Sequence, residues 1–416
     1  MAGDAEGGLG LASLLAAAEA AAPVEAVDAV AAELAARLGA VDVSFLVADY
    51  SGDALVRLSR AGAGGGRRSV GEDAATTVPL SGSVYEQAVR SQRVRVLDAG
   101  DGAVLVAPVT NRGDVLGVLE LRLPEHPVAD TVEQVAAAAH VLGYVVIAND
   151  RFTDLFEWGQ RSAPMRLEGE IQRRLLPSAL TCEAGPFTIA GALEPAGRVG
   201  GDTFDYSLER ETLHVSLTDA MGHGTDAALL ATLVVASLRN SRRSGASVLE
   251  QASAANAVLD EHSSDGAFVT GQLLRVSLAT GTAEIVNSGH PQPLRLRDGR
   301  VETIELDADL PFGMLADTCF RVQSLTLEPG DRLVLVTDGL FERNPVRIDI
   351  PDLIAKSSDL HPREVVQQLT RTVARAAGGH MRDDATALCL DWYGGESVRH
   401  ADSGADRRRA SQEAPP

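Results

Sequence analysis

The chain has 416 residues, 45% of them hydrophobic, more than one ordinary core accommodates, so two or three domains are expected. A formal net charge of -21 and a pI near 4.8 leave no concentrated basic surface for a phosphate backbone, which excludes nucleic acid as a partner. Cys182, Cys319 and Cys389 have neither zinc spacing nor redox pairing, and fit a reducing cytoplasm.

Residues 1–23 read as an N-terminal extension. Its apolar stretch from Leu11 to Ala22 follows Asp4 and Glu6 where a secretory leader needs basic residues. No uncharged apolar run of about 18 residues is evident, so no membrane span is expected. Val24, Val27, Ala31, Leu34 and Leu38 recur at helical spacing behind Pro23. Val41, Val43, Phe45 and Val47 then alternate as a half-buried strand does, and Ser51-Gly-Asp53 turns the chain into a second strand over 54–59. The glycines at 62, 64, 65 and 66 lack the Lys-Ser/Thr that a phosphate cradle needs, and read as a loop. Strands are predicted at 94–97, 104–109 and 115–123, with Asn111 to Asp114 as a turn, and a helix over 130–150.

This order, a helix, antiparallel strands and a closing helix, resembles a GAF sensory domain over 24–150. The resemblance implies an α/β sensor that binds a small molecule or protein, or that dimerises without a ligand. A homodimer is the expectation. Residues 151–182 read as a helical linker, with helices over 152–160 and 165–176, a break at Ser162-Ala-Pro164, and an apolar stripe of Leu167, Ile171 and Leu175. Such a linker suits transmission of rotation or dimer register, or packing against the domain that follows.

From 183 to 394 the texture is α+β. Strands are predicted at 187–193, 214–218, 268–278, 283–287, 331–337 and 386–392, and helices at 227–239, 248–259 and 363–377. Asp202, Asp219, Asp338 and Asp383 stand near the ends of apolar runs, so they are expected to converge at one sheet edge. Clustered carboxylates resist ionising together. Hard divalent cations relieve the repulsion, and an all-oxygen set suits Mg²⁺ or Mn²⁺ better than Zn²⁺.

Val199-Gly-Gly-Asp202, Asp219-Ala-Met-Gly-His-Gly224, Asn287-Ser-Gly-His-Pro291, Leu310-Pro-Phe-Gly313, the run from Pro329 to Gly339, and Asp383-Asp-Ala-Thr386 resemble, in order, the signature blocks of metal-dependent (PPM-type) protein phosphatases, above all the bacterial RsbU-like branch. The resemblance spans 165–393 and implies a β-sandwich between helical layers, with two Mn²⁺ or Mg²⁺ ions at one end. It also implies hydrolysis of phosphoserine or phosphothreonine on an anti-anti-sigma (STAS) protein. Asp219 resembles the ligand bridging both metals, with the Ala220 carbonyl completing the first site; Asp338 and Asp383 resemble ligands of the second. Asp202 resembles the carboxylate that holds a metal-bound water. Asp384 is a weaker candidate, since only one of an adjacent pair need face inward from a strand. Two such ions share and activate a water for in-line attack on phosphorus, so no side-chain nucleophile is required.

Gly200, Gly201, Gly222 and Gly224 are expected to permit tight turns and close backbone approach. His223 and His290 are assigned to turns ahead of acid catalysis, because no partner carboxylate is identifiable. Gly200-Gly-Asp-Thr-Phe204 lacks the acidic fourth residue of the diguanylate cyclase signature. Thr218-Asp-Ala220 stands where the family commonly has Gly-Asp-Val, and the aromatic pair near Thr203-Phe204 is half kept; neither change removes a carboxylate. A non-catalytic signalling scaffold on the same fold is the alternative reading. Residues 395–416, with Arg407, Arg408 and Arg409 beside Asp402 and Asp406, read as a disordered tail.

Overall fold

The computed structural model describes residues 10–62, 76–161, 165–196, 200–262, 266–341, 348–378, 381–400 and 404–411. The chain forms two compact units, Met1–Pro164 with His400–Pro416, and Met165–Arg399.

In the N-terminal unit, helices α1 (Leu11–Ala20) and α2 (Ala26–Leu38) precede strands β1 (Asp42–Ala48), β2 (Ala54–Gly62) and β3 (Thr77–Pro79). Helix α3 (Val84–Ser91), strands β4 (Arg95–Asp98), β5 (Ala103–Asn111) and β6 (Asp114–Leu123), and helices α4 (Ala129–Asn149) and α5 (Leu155–Gly159) follow. The strands form one antiparallel sheet ordered β3-β2-β1-β6-β5-β4. Because alternate strand residues face opposite ways, Phe45, Leu105 and Leu119 pack with Leu14, Leu34 and Leu142 of the long helices. Leu46, Val106 and Val118 face α3 instead, against Ala88 and Val89.

Two expectations for this half are corrected. The N-terminal extension contains α1, whose Leu14 and Ala18 are buried in the core. The expectation of no membrane span is not among them: Ala129–Phe152 is long and apolar enough by length and composition, but it carries charged residues near both ends, and Val135, Ala138, Ala139 and Leu142 face the core of this unit. In the polar tail, 404–411 is ordered against the N-terminal unit, with Ala405, Asp406 and Ser411 buried. The Gly113 amide donates to the Gly404 carbonyl there, and Arg407 Nε donates to the Gln92 carbonyl. The glycines at 64, 65 and 66, and the break at 162–164, lie outside the described residues.

The C-terminal unit begins with α6 (Leu167–Leu175), β7 (Thr181–Glu183), β8 (Phe187–Glu194), β9 (Asp202–Leu208) and β10 (Thr212–Ala220). Helices α7 (Thr225–Arg243) and α8 (Val248–His262) lead into β11 (Val269–Ser277), β12 (Thr282–Ser288), β13 (Leu294–Arg297), β14 (Arg300–Thr303), β15 (Gln323–Thr326) and β16 (Arg332–Val336). Helices α9 (Ile350–Lys356) and α10 (Pro362–Ala376) and strand β17 (Ala385–Trp392) complete it. Two antiparallel sheets result, ordered β15-β12-β11-β10-β9 and β14-β13-β16-β17-β8-β7.

Phe187, Ile189, Phe204, Leu217, Leu335, Leu390 and Trp392 fill the space between the sheets. A Cβ at Gly191 would lie 2.3 Å from the Phe204 ring; the glycine is what lets the sheets approach there. Helices α7 and α8 cover one outer face and α9 and α10 the other. The order is helices, sheet, sheet, helices, an α+β sandwich. The linker expectation changes here: α6 belongs to this unit and buries Gly169 and Gln172, while Leu167 of the expected stripe is 66% exposed.

Candidate active site

Each sheet delivers carboxylates to the same edge. Asp202 opens β9 directly opposite Asp219 near the end of β10. In the other sheet Asp338 starts the short 3₁₀ turn after β16, and Asp383 and Asp384 immediately precede β17, which pairs with β16. Close backbone approach makes the convergence possible. A Cβ at Gly339 would lie 1.9 Å from the Asp384 carbonyl oxygen, and one at Gly201 2.5 Å from that of Ala220. Gly222 and Gly224 take φ of 91° and 77° between β10 and α7, a conformation that disfavours other residues. Val199 lies outside the described residues.

Burial, then the charges of Asp338 and Asp383, push the Asp219 carboxyl up to about 7, while a hydrogen bond with Asp202 draws it down. Asp202 is 2% exposed. Burial, followed by Asp219 and Asp384, holds it well above the usual carboxylate range. Its Oδ2 accepts from the Thr337 hydroxyl at 2.7 Å and the Thr386 hydroxyl at 2.6 Å, and Thr337 Oγ1 also accepts from the Thr386 amide at 3.1 Å. Asp202 thus ties its own sheet to the opposite one, and one of its oxygens is engaged with protein rather than free for a water.

The adjacent acids have separate surroundings. Asp384 is buried and accepts from the Ala196 amide at 2.8 Å, the Gly200 amide at 3.0 Å and Gln172 Nε2 at 2.6 Å. Burial raises its carboxyl and these donors oppose the rise. Asp383 stands half-buried and acts electrostatically on Asp219. Gln172 Nε2 also donates to the Asp202 carbonyl at 2.9 Å. Gln172, Thr337 and Thr386 had no assigned role in the sequence. The two threonines lie inside the quoted motifs, whereas Gln172 is one polar residue of an amphipathic helix.

A cavity of about 560 Å³ adjoins the acids, lined in part by Asp219, Asp338, Thr270, His290, Gln292 and Phe341. No Lys or Arg is among its described lining residues. His290 is 4% exposed, its Nδ1 lies 2.9 Å from Thr270 Oγ1, and its backbone is pinned by Asn287. Burial pushes its imidazole down to about 3, so it is neutral at physiological pH. His223 lies exposed on the turn between Gly222 and Gly224.

The carboxylates fit hard divalent cations in donor type and mutual repulsion. Among the described residues no three His, Cys, Asp or Glu form a ready ligating group. The expected metal ligands, Asp202, Asp219, the Ala220 carbonyl, Asp338 and Asp383, are therefore gathered at one edge without being closed into a coordination shell.

Residues 209–393 match the family described as Stage II sporulation protein E (SpoIIE). The chain is 24% identical to Stage II sporulation protein E of Bacillus subtilis (strain 168) over 207 residues, 48% of this chain and 25% of that protein. It is 20% identical to phosphoserine phosphatase RsbU of the same organism over 232 residues, 54% of this chain and 69% of RsbU. The crystal structure of the RsbU and RsbW domains of a Mycobacterium tuberculosis protein has 25% identity and a TM-score of 0.46, covering 52% of this chain and 62% of that one. The chain spans about a quarter of the first relative's length. Most of its C-terminal unit therefore matches the SpoIIE family model and is similar to a curated phosphoserine phosphatase, RsbU.

Proposed function

We propose that this chain is a metal-dependent serine/threonine protein phosphatase acting on a phosphorylated anti-anti-sigma (STAS) protein in the cytoplasm, under control of a GAF-like N-terminal unit and working as a homodimer. The observation carrying the chemistry is the convergence of Asp219 with Asp338 and Asp383 from two sheets beside a 560 Å³ cavity. Two Mn²⁺ or Mg²⁺ ions held by Asp219, the Ala220 carbonyl, Asp338 and Asp383 would supply a strongly nucleophilic water and counter the phosphoryl charge.

The chain's own groups have distinct tasks. Asp202, through Thr337 and Thr386, sets the spacing of the sheets that carry the ligands. Asp384 holds the Ala196 and Gly200 amides, fixing the approach to Asp202. His290, neutral and buried, orients the cavity wall and does not serve as a charged acid. Among the described residues the cavity wall has no Lys or Arg, and the phosphate charge would be met by the divalent ions that the acids hold.

Control is proposed to run through α6. Its Gln172 joins the Asp202 backbone to the Asp384 carboxylate, so displacement of this helix would loosen both acids together. The test is hydrolysis of a phosphoserine STAS protein by purified full-length chain with Mn²⁺. Metal-stimulated phosphate release that disappears in Asp219→Asn is expected; absence of release from phosphoproteins and from aryl phosphates alike would leave the scaffold reading in its place.

A further inference from the structure

Residues 404–411 lie across the N-terminal unit after the whole C-terminal unit has intervened in the chain. Their seat is composed of three parts: Gln92, the left-handed cap of α3; Thr110 and Gly113, at the bulge and turn joining β5 to β6; and His140 of α4. The Gly113 amide donates to the Gly404 carbonyl at 3.1 Å, and Arg407 Nε donates to the Gln92 carbonyl at 3.1 Å. Gly404 has φ of +90°, and a Cβ there would lie 1.9 Å from the Thr110 carbonyl oxygen and 3.0 Å from His140 Nδ1. Both the backbone angle and the space select glycine.

The segment carries its own shape. Asp406 Oδ1 accepts from the Arg408 amide at 3.1 Å, Oδ2 accepts from the His400 amide at 2.9 Å, and the Asp406 carbonyl accepts from the Arg409 amide at 2.9 Å. Such an Asx turn pre-forms a short peptide, so less freedom is lost when it docks. Ala405 and Asp406 are 1% and 2% exposed. The segment has no large apolar side chain. A glycine fit, a main-chain hydrogen bond and the Arg407 side chain contribute to its hold, and local opening of a short segment requires less than global unfolding.

We infer that residues 404–411 are a releasable clasp: the N-terminal unit recognises the Gly404-Ala-Asp-Arg407 sequence of its own chain, so that the C-terminal unit is tied to it through both of its ends. Closing is intramolecular and profits from a high effective concentration; opening removes the second tether while leaving the first. This gives the Arg407 to Arg409 run a role in cis rather than as a solvated end.

Amide hydrogen exchange on the full-length chain tests the clasp. In the native protein the Gly113 amide should exchange slowly, and Gly404→Val should accelerate it by about tenfold or more, as loss of a protecting hydrogen bond does. The amides of β16 and β17 serve as an internal control and should be unchanged. Arg407→Ala should accelerate Gly113 by a smaller factor. A synthetic peptide of residues 400–411, added to the Gly404→Val chain in excess, should restore protection, and the same peptide carrying Gly404→Val should not. Equal Gly113 exchange in the native chain and Gly404→Val overturns the clasp. Acceleration that the native peptide leaves unreversed overturns its release and rebinding, making the segment a fixed part of the unit.

Discussion

Replacing Thr386 with Val isolates the tie between the sheets. The side chains are nearly isosteric, Thr386 is fully buried, and the substitution removes the hydroxyl that donates to Asp202 Oδ2 at 2.6 Å. A buried hydrogen bond to a carboxyl group contributes about 1.5–3 kcal/mol net. At about 2–4 °C per kcal/mol for a unit of this size, a loss of about 2 kcal/mol lowers Tm by about 4–8 °C. Thr337→Val removes the other donor to the same oxygen and the acceptor of the Thr386 amide. Because the pair shares a partner, the double variant should depart from additivity by about 0.5 kcal/mol or more. The chain contains two tryptophans, Trp158 and the buried Trp392. Tryptophan fluorescence melting in a Trp158→Phe background therefore reports the C-terminal core through Trp392. A change below about 0.5 kcal/mol in Thr386→Val, or strict additivity in the double variant, refutes the cross-sheet role of Asp202.

Four further outcomes are expected. Asp219→Asn should lower Mn²⁺-stimulated phosphate release by on the order of 10³-fold, the equivalent of about 4 kcal/mol of transition-state stabilisation, while the far-ultraviolet circular dichroism stays native; an active variant contradicts the site assignment. Gln172→Leu should cost about 2 kcal/mol through its lost bonds to Asp384 and Asp202 and lower kcat, whereas native melting and kcat exclude α6 as a control element. Gly339→Ala forces the backbone away from the Asp384 carbonyl, so a loss of about 3 kcal/mol or more in denaturant unfolding is expected. His290 has a folded value near 3 against 6.5 for the free group, so the unfolded chain binds its proton first. Its contribution to stability is present above about pH 6.5 and falls away as pH drops toward 3; comparison of native chain with His290→Asn by urea unfolding across that range should show a steeper acid loss in the native chain.

The acids were legible because each follows or precedes an apolar run, and a strand end is where a buried segment can release a charge. The strand carrying Asp202 was not, since Asp202, Thr203 and Asp205 interrupt its apolar pattern; pairing with β10 and the buried Phe204 stabilise it. Thr337 and Thr386 stand 135 and 184 positions from Asp202, a separation that no local spacing rule spans. Gln172 was obscured by its neighbours: Leu167, Ile171 and Leu175 suggested a buried face, yet Leu167 is exposed and the glutamine is buried. Two acids justify a buried glutamine there, and only tertiary structure brings them to it.

Polarity misled at the chain's end for a related reason. Composition measures how much apolar surface a segment can bury, and 404–411 has little. It carries instead a glycine that fits against a carbonyl, an aspartate that folds its own turn and an arginine that reaches a cap. Main-chain recognition leaves almost no trace in hydropathy, so short polar ends with Gly, Asp and Arg in this arrangement require a partner surface before disorder can be inferred. The same reasoning applies at the acidic edge, where backbone amides, threonine hydroxyls and one glutamine organise the carboxylates that sequence alone could place only one by one.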